Sequence, residues 1–117
     1  MPYLALLEGL LRSVSGAQAA LLLDAQGEVV VQTGGRDYRA RLIGAYQGIA
    51  LATARRTAER YLGGEVQCLL CRYSQASVIL QSLRDGYYLV LALDPTANAG
   101  LGLQGAARWG TRLAAEL

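Results

Sequence analysis

The segment Tyr38–Leu62 reads YRARLIGAYQGIALATARRTAERYL and contains no proline. Its larger side chains recur at helical spacing. Those that fall near one face are Leu42, Tyr46, Ile49, Thr53 and Tyr61. A helix of this length spans roughly 37 Å, enough to cross a small domain. Asp37 fits an N-cap and Gly63-Gly64 a helix stop, so the sequence predicts one long helix here.

A helix and two strands are predicted before the long helix. Residues 3–14 carry leucines at helical spacing, and Pro2 fits the first turn of such a helix. Ala17–Asp24 is apolar enough to lie buried on both faces of a sheet, and Val29–Val31 is typical of a second strand. The turn at Ala25-Gln26-Gly27 pairs these strands in a hairpin, which Gly34-Gly35 closes.

Three strands in a meander, and a last helix, are predicted after the long helix. The strands are Val66–Tyr73, Ser77–Leu83 and Tyr87–Leu93. The helix runs from about Asn98 onward. Its apolar stripe comprises Leu103, Ala106, Ala107, Gly110, Leu113 and Leu117. The order α-β-β-α-β-β-β-α predicts an α+β fold of five mainly antiparallel strands and three helices, in one domain over residues 1–117.

Composition limits the kinds of partner. Hydrophobic residues make up 53% of the 117-residue chain, which excludes a disordered protein. This share also exceeds what a solitary small domain needs, so we expect a second subunit to cover part of the apolar surface. The net charge of +2 is too small for a nucleic-acid partner. Apolar runs such as Ala19–Leu23 are too short to insert into a membrane. Two cysteines without an export signal predict the cytoplasm.

Two motifs resemble cofactor or metal sites but lack the required context. Gly100-Leu-Gly102-Leu-Gln-Gly105 has the spacing of a dinucleotide loop, yet no parallel strand or acidic ribose partner follows it. We therefore expect these glycines to serve helix packing. Cys68 and Cys71 point to opposite faces of a strand and cannot share a metal, so we expect two buried thiols, with no cofactor and no metal.

The sequence contains no complete catalytic constellation. There is no histidine to activate a serine or cysteine nucleophile. Asp24 and Asp94 end apolar strands and could act as paired carboxylates, but strand-end aspartates usually form turns. We therefore predict that the protein is not an enzyme.

Features of the long helix and the third strand predict association with a second copy. Gly44, Gly48 and Ala52 form a stripe of small residues that could let two helices approach, or could equally pack on the protein's own sheet. Val66–Tyr73 has no proline or lysine to protect it as an edge strand. The predicted dimer interface comprises Gly44, Gly48, Ala52, Val66, Cys68 and Leu70.

The long helix also carries a cluster of arginines. These are Arg39, Arg41, Arg55, Arg56 and Arg60. Such a cluster is either a solvated face or a docking surface for an acidic partner. We predict that these five arginines bind a partner.

The chain resembles the Roadblock family, of the dynein light-chain type that includes bacterial gliding-motility GTPase regulators. The segment 16–27 is similar to the family's first hairpin, and 85–100 to its last strand and the turn into its last helix. The order of elements also matches over nearly the whole chain.

The resemblance implies a sheet of order 2-1-5-4-3, with the long helix on one face and the terminal helices on the other. It further implies a homodimer formed through the long helix and the third strand, with one continuous ten-stranded sheet. Such domains are non-enzymatic platforms for Ras-like small GTPases, and no catalytic residue transfers. A small-molecule sensor or a purely structural scaffold of the same sandwich fold is the alternative.

Overall fold

The computed structural model describes residues 2–35 and 38–117, and within this range the side chains of 38–47 are left undescribed. The elements follow the predicted order. They are α1 (Pro2–Ser13), β1 (Ala17–Leu23), β2 (Val29–Gly34), α2 (Tyr38–Thr57), β3 (Cys68–Arg72), β4 (Ser77–Ser82), β5 (Tyr88–Leu93) and α3 (Ala99–Ala115). The predicted α+β class is confirmed.

The five strands form one antiparallel sheet of order β2-β1-β5-β4-β3. All six residues of β5 are buried, as expected for a central strand with both faces covered. Val90 of β5 lies between Leu21 of β1 and Leu80 of β4. This confirms the predicted strand order and leaves β2 and β3 as the two edges.

Helices cover both faces of the sheet. On one face, Leu7 and Leu10 of α1 and Leu113 of α3 pack with Leu22, Leu91 and other alternate strand residues. On the opposite face, Leu51 of α2 packs with the intervening set, which includes Leu21 and Leu80. This two-sided arrangement follows from the alternation of side chains along each strand.

Two of the three glycines of the loop motif, Gly102 and Gly105, serve helix packing as predicted, whereas Gly100 is exposed. A Cβ on Gly102 would lie 2.8 Å from Leu93 Cδ1, and one on Gly105 would lie 2.6 Å from Val14 Cγ2. The predicted apolar stripe of this helix was wrong at Ala107, which is exposed. The residues of the helix that face the core are Gly102, Ala106, Gly110 and Leu113, and Ala107 follows Ala106 by one position, which turns it about 100° away from them. Asn98 caps the helix by accepting a hydrogen bond from the amide of Leu101.

The long helix changes geometry before it ends. Regular α-helix stops at Thr57, and Ala58–Leu62 continue as a π-helical turn. Gly63 and Gly64 then take positive φ angles of 68° and 101°, which redirect the chain. The third strand was predicted to begin at Val66, but it begins two residues later, at Cys68. The predicted N-cap, Asp37, lies outside the described residues.

Candidate functional site

The outer side of α2 exposes apolar and aromatic side chains. Ile49, Tyr61 and Leu62 have exposed fractions of 64%, 73% and 78%. Thr53 and Arg56 lie on the same side, where Arg56 Nη2 donates to Thr53 Oγ1 at 3.2 Å. A shallow depression of about 640 Å³ is lined by Thr53, Arg56, Thr57, Glu59, Arg60 and Tyr61. We call this surface, together with Ile49 and Leu62, the outer helix face.

The inner side of α2 carries small residues that rest on the sheet. A Cβ on Gly48 would lie 2.7 Å from the Tyr88 hydroxyl, so Gly48 faces the protein's own sheet. Leu51 and Ala58 are buried on the same side, and Ala52 is half-buried. The small-residue stripe was predicted either to meet a second helix or to pack on the protein's own sheet. At Gly48 it packs on the protein's own sheet. Gly44 lies outside the residues whose side chains are described.

Tyr88 is the sheet residue beneath this stripe. Its side chain is 2% exposed, and its hydroxyl has no hydrogen-bond partner in the part of the chain that the structure describes. Burial raises the pKa of the phenol, and the charge of Arg55 partly opposes this rise. The Arg55 guanidinium lies 6.0 Å from the centre of the Tyr88 ring.

The predicted arginine cluster therefore divides between two sides of the helix. Arg55 is half-buried over Tyr88, whereas Arg56 and Arg60 are exposed on the outer helix face. The Arg60 guanidinium lies 6.0 Å from the centre of the Tyr61 ring. Arg39 and Arg41 belong to the segment whose side chains are not described. Helical spacing could have distinguished Arg55 from Arg56, since adjacent residues differ by about 100° in direction.

The strand β3 lies at the sheet edge beside α2 and pairs only with β4 among the described strands. Leu70 packs toward the terminal helices, while Leu69 and the preceding Val66 pack toward the long helix. Both cysteines are free, and Cys68 is exposed, so the expected burial of this thiol was wrong. An edge position leaves this residue uncovered in a single chain.

The two strand-end aspartates form turns and are not paired. Asp24 Oδ1 accepts from the amides of Gln26 and Glu28 at 2.9 and 3.0 Å. Asp94 Oδ1 accepts hydrogen bonds from the Thr96 amide at 2.9 Å and from the Thr96 hydroxyl at 2.6 Å. These two hydrogen bonds hold the pKa of the Asp94 carboxyl below its usual range. The β1–β5 register places the two aspartates at opposite ends of the sheet.

The described residues present neither a metal-binding cluster nor a membrane-spanning helix. Among the described residues, no group of three or more acidic, histidine or cysteine side chains is placed to hold a metal ion. Within the same residues, no helix is both long and apolar enough to cross a membrane. The exposed apolar side chains of the outer helix face, together with the β3 edge, form the candidate site.

Comparisons with known proteins agree with this architecture. The family model of the Roadblock/LC7 domain matches residues 3–93. A solved Roadblock/LC7 domain from Streptomyces avermitilis superposes with a TM-score of 0.86 at 20% identity, covering 94% of this chain and 92% of that one. No curated protein matches significantly.

Solved structures of two gliding-related proteins are similar as well. The gliding protein mglB from Thermus thermophilus gives a TM-score of 0.83 at 22% identity, covering 94% of this chain and 84% of that one. MglC from Myxococcus xanthus gives 0.76 at 23% identity, with both chains fully covered at 100%. At these identities the likeness shows a shared fold.

Proposed function

Because the chain belongs to the Roadblock/LC7 family, we propose that it is a non-enzymatic homodimeric adaptor that binds and regulates a Ras-like small GTPase. The observation that carries this proposal is the outer helix face, where Ile49, Tyr61 and Leu62 are exposed beside an unprotected edge strand. Large apolar side chains grouped on one surface mark an interaction site.

A second copy of the chain would cover both parts of this surface. Two α2 helices would pack through their outer faces, and two β3 strands would pair to extend the sheet to ten strands. A stable interface of this kind buries roughly 1,600 Å² in total. Val66, Cys68 and Leu70 would then lie at or beside the strand junction, and the exposed Cys68 thiol would become covered.

The dimer would present its paired long helices to the GTPase. Arg56 and Arg60 are exposed in the single chain, and we place them at the rim of the helix pairing, where they would stay accessible and steer an acidic surface into place. We extend the same role to Arg39 and Arg41 from their position in the sequence. Arg55 is assigned instead to holding α2 on the sheet, since its guanidinium lies over Tyr88. One GTPase across the two-fold axis would give a stoichiometry of two to one.

The adaptor would act by binding and reshaping the GTPase, without contributing a catalytic arginine. We expect Arg56→Ala and Arg60→Ala each to weaken binding by a few-fold, as for a charge at an interface rim, while saturating protein restores the hydrolysis rate. An arginine finger would instead lose on the order of a thousandfold in rate at saturation.

The test begins with capture of GTPases from the native cell in GDP and in GTP-analogue conditions. Single-turnover GTP hydrolysis by the purified partner is then titrated with the wild type and each arginine variant. Arg84→Ala, at an exposed turn away from α2, is the control. A variant that binds normally but abolishes stimulation would contradict the adaptor mechanism. Tight binding without any effect on hydrolysis would favour a pure scaffold.

The small-molecule sensor receives little support from the packing. Both core layers are filled by leucine, valine and isoleucine side chains. The groove beside Arg55 and Ser82 measures about 610 Å³ and is lined largely by polar residues of surface loops. A sensor site is normally a concave, mostly apolar pocket that encloses its ligand.

A further inference from the structure

Trp109 is fixed at the outer seam between the two terminal helices. Its indole crosses α1 at Gly9, where a Cβ would overlap the ring. The indole Nε1 donates to Ser13 Oγ at 3.1 Å, and the Ser13 hydroxyl in turn donates to the Leu10 carbonyl at 2.9 Å. The ring is only half-buried, so a rigid aromatic surface reaches solvent.

One arginine contacts this ring, and two more lie on the same two helices. The Arg112 guanidinium lies 4.5 Å from the centre of the Trp109 ring, close enough for a cation–π contact. Arg108 and Leu101 lie four and eleven residues before Arg112, which places all three on one side of α3. Arg12 of α1 adjoins Ser13, and these four residues are exposed.

The positive charges of this seam are not neutralised within the described residues. The ion pair that the described residues form lies elsewhere and joins Arg84 to Asp85. Among the same residues, no carboxylate lies within 4.0 Å of Arg12, Arg108 or Arg112. Arginine presents a planar fork of donors that matches a carboxylate in two parallel hydrogen bonds. The exposed Leu101 adds an apolar contact beside these charges.

We propose that this seam, formed by Arg12, Leu101, Arg108, Trp109 and Arg112, is a second docking surface that binds an acidic segment of a partner protein. It lies across the sheet from the outer helix face, so both surfaces can be occupied together. The seam is formed by α1 and α3 and shares no residue with the surface proposed for the dimer and the GTPase, so the proposal goes beyond that function.

A peptide fits this seam better than an anionic membrane does. Polybasic membrane sites carry about four to eight basic residues. The seam has three, and the exposed Glu8 and Glu116 lie on the same two helices. Forked contacts to individual carboxylates suit such a small, mixed surface, whereas a diffuse anionic surface would be attracted only weakly.

The single tryptophan of the chain makes Trp109 a direct reporter. The probe is a synthetic helical peptide with glutamate at every fourth position, and its matched control replaces each glutamate with glutamine. At low salt we expect a saturable change in Trp109 fluorescence with the glutamate peptide and none with the glutamine peptide. Added salt should weaken the binding because the contacts are exposed.

The variant Arg12→Gln with Arg108→Gln removes two charges and leaves the contacts of the indole with Gly9, Ser13 and Arg112 in place. We expect about tenfold weaker binding, consistent with two exposed ion pairs. Arg84→Gln, at an exposed turn outside both surfaces, is the control and should bind as the wild type does. Equal responses to both peptides, unchanged binding by the double variant, or stronger binding to phosphatidylserine vesicles than to the peptide would overturn the proposal.

Discussion

Gly48 determines how the long helix sits on the sheet. The Tyr88 hydroxyl occupies the space that a side chain at position 48 would need. We therefore expect Gly48→Leu to lift α2 from the sheet and to lower the free energy of unfolding by about 1–3 kcal/mol, the usual cost of overpacking. Urea denaturation followed by circular dichroism measures this loss.

Ala107→Leu, at an exposed position of α3 outside both proposed surfaces, is the control and should change the free energy of unfolding by less than about 0.5 kcal/mol. A Gly48→Leu protein that keeps full stability but loses its dimer would instead place Gly48 between subunits, against the packing described here.

Asp94 connects stability to pH through its turn. Hydrogen bonds from the Thr96 hydroxyl and amide favour the ionised carboxylate and hold its pKa below the usual value. A group whose pKa is lowered by folding stabilises the protein above the unfolded pKa, and this stabilisation is lost as pH falls through the folded pKa. We expect the stability difference between the wild type and Asp94→Asn to shrink as pH falls below about 4.

The comparison is made by thermal unfolding of both proteins from pH 6 to pH 2. Asp85→Asn, which removes an exposed carboxylate from another turn, serves as the control. A wild-type advantage that stays constant across this range would contradict the role given to the Thr96 hydrogen bonds.

At the scale of elements, the sequence predicts the fold well because period and turn chemistry are local. The valine run Val29–Val31, the turn at Asp85-Gly86 and the long proline-free segment each correspond to an element of the structure. The sheet order came from family resemblance, since pairing between distant strands leaves no local signal.

The candidate site was less predictable for a physical reason. The larger side chains of the long helix share a face by spacing, but spacing alone does not say whether that face meets the sheet. In the structure, Ile49 and Tyr61 point outward while Gly48 and Leu51 meet the sheet. The π-helical turn at Ala58–Leu62 also has no simple sequence signature, and it accompanies the exposure of Tyr61 and Leu62.

The edge strand β3 gives a prediction at this scale. If β3 pairs with its counterpart in a second copy, its outward amides gain hydrogen bonds only in the dimer. Hydrogen exchange of residues 68–72 should therefore slow as protein concentration rises. The other edge strand, Val29–Gly34, should exchange at a rate independent of concentration. Concentration-independent exchange in both strands would remove β3 from the interface.

The whole molecule combines a filled two-layer core with two different surfaces. The outer helix face is apolar, aromatic and arginine-bearing, and it adjoins a free sheet edge. The seam of the terminal helices is smaller and charged, on the far side of the sheet. This separation would allow the outer helix face to serve the proposed assembly and GTPase binding while the seam holds the proposed further partner.

The central claim, that the outer helix face joins two copies of the chain, is tested most directly by sedimentation equilibrium of three proteins at micromolar concentration. The wild type should have twice the 12.5 kDa chain mass. Ile49→Glu buries a charge at the proposed interface and should weaken the dimer by about a hundredfold or more, without loss of fold, because residue 49 is exposed in the single chain. Val30→Glu, at an exposed position on the opposite edge strand, should remain a dimer. A wild-type mass of one chain, or an Ile49→Glu dimer as tight as the wild type, would contradict the account.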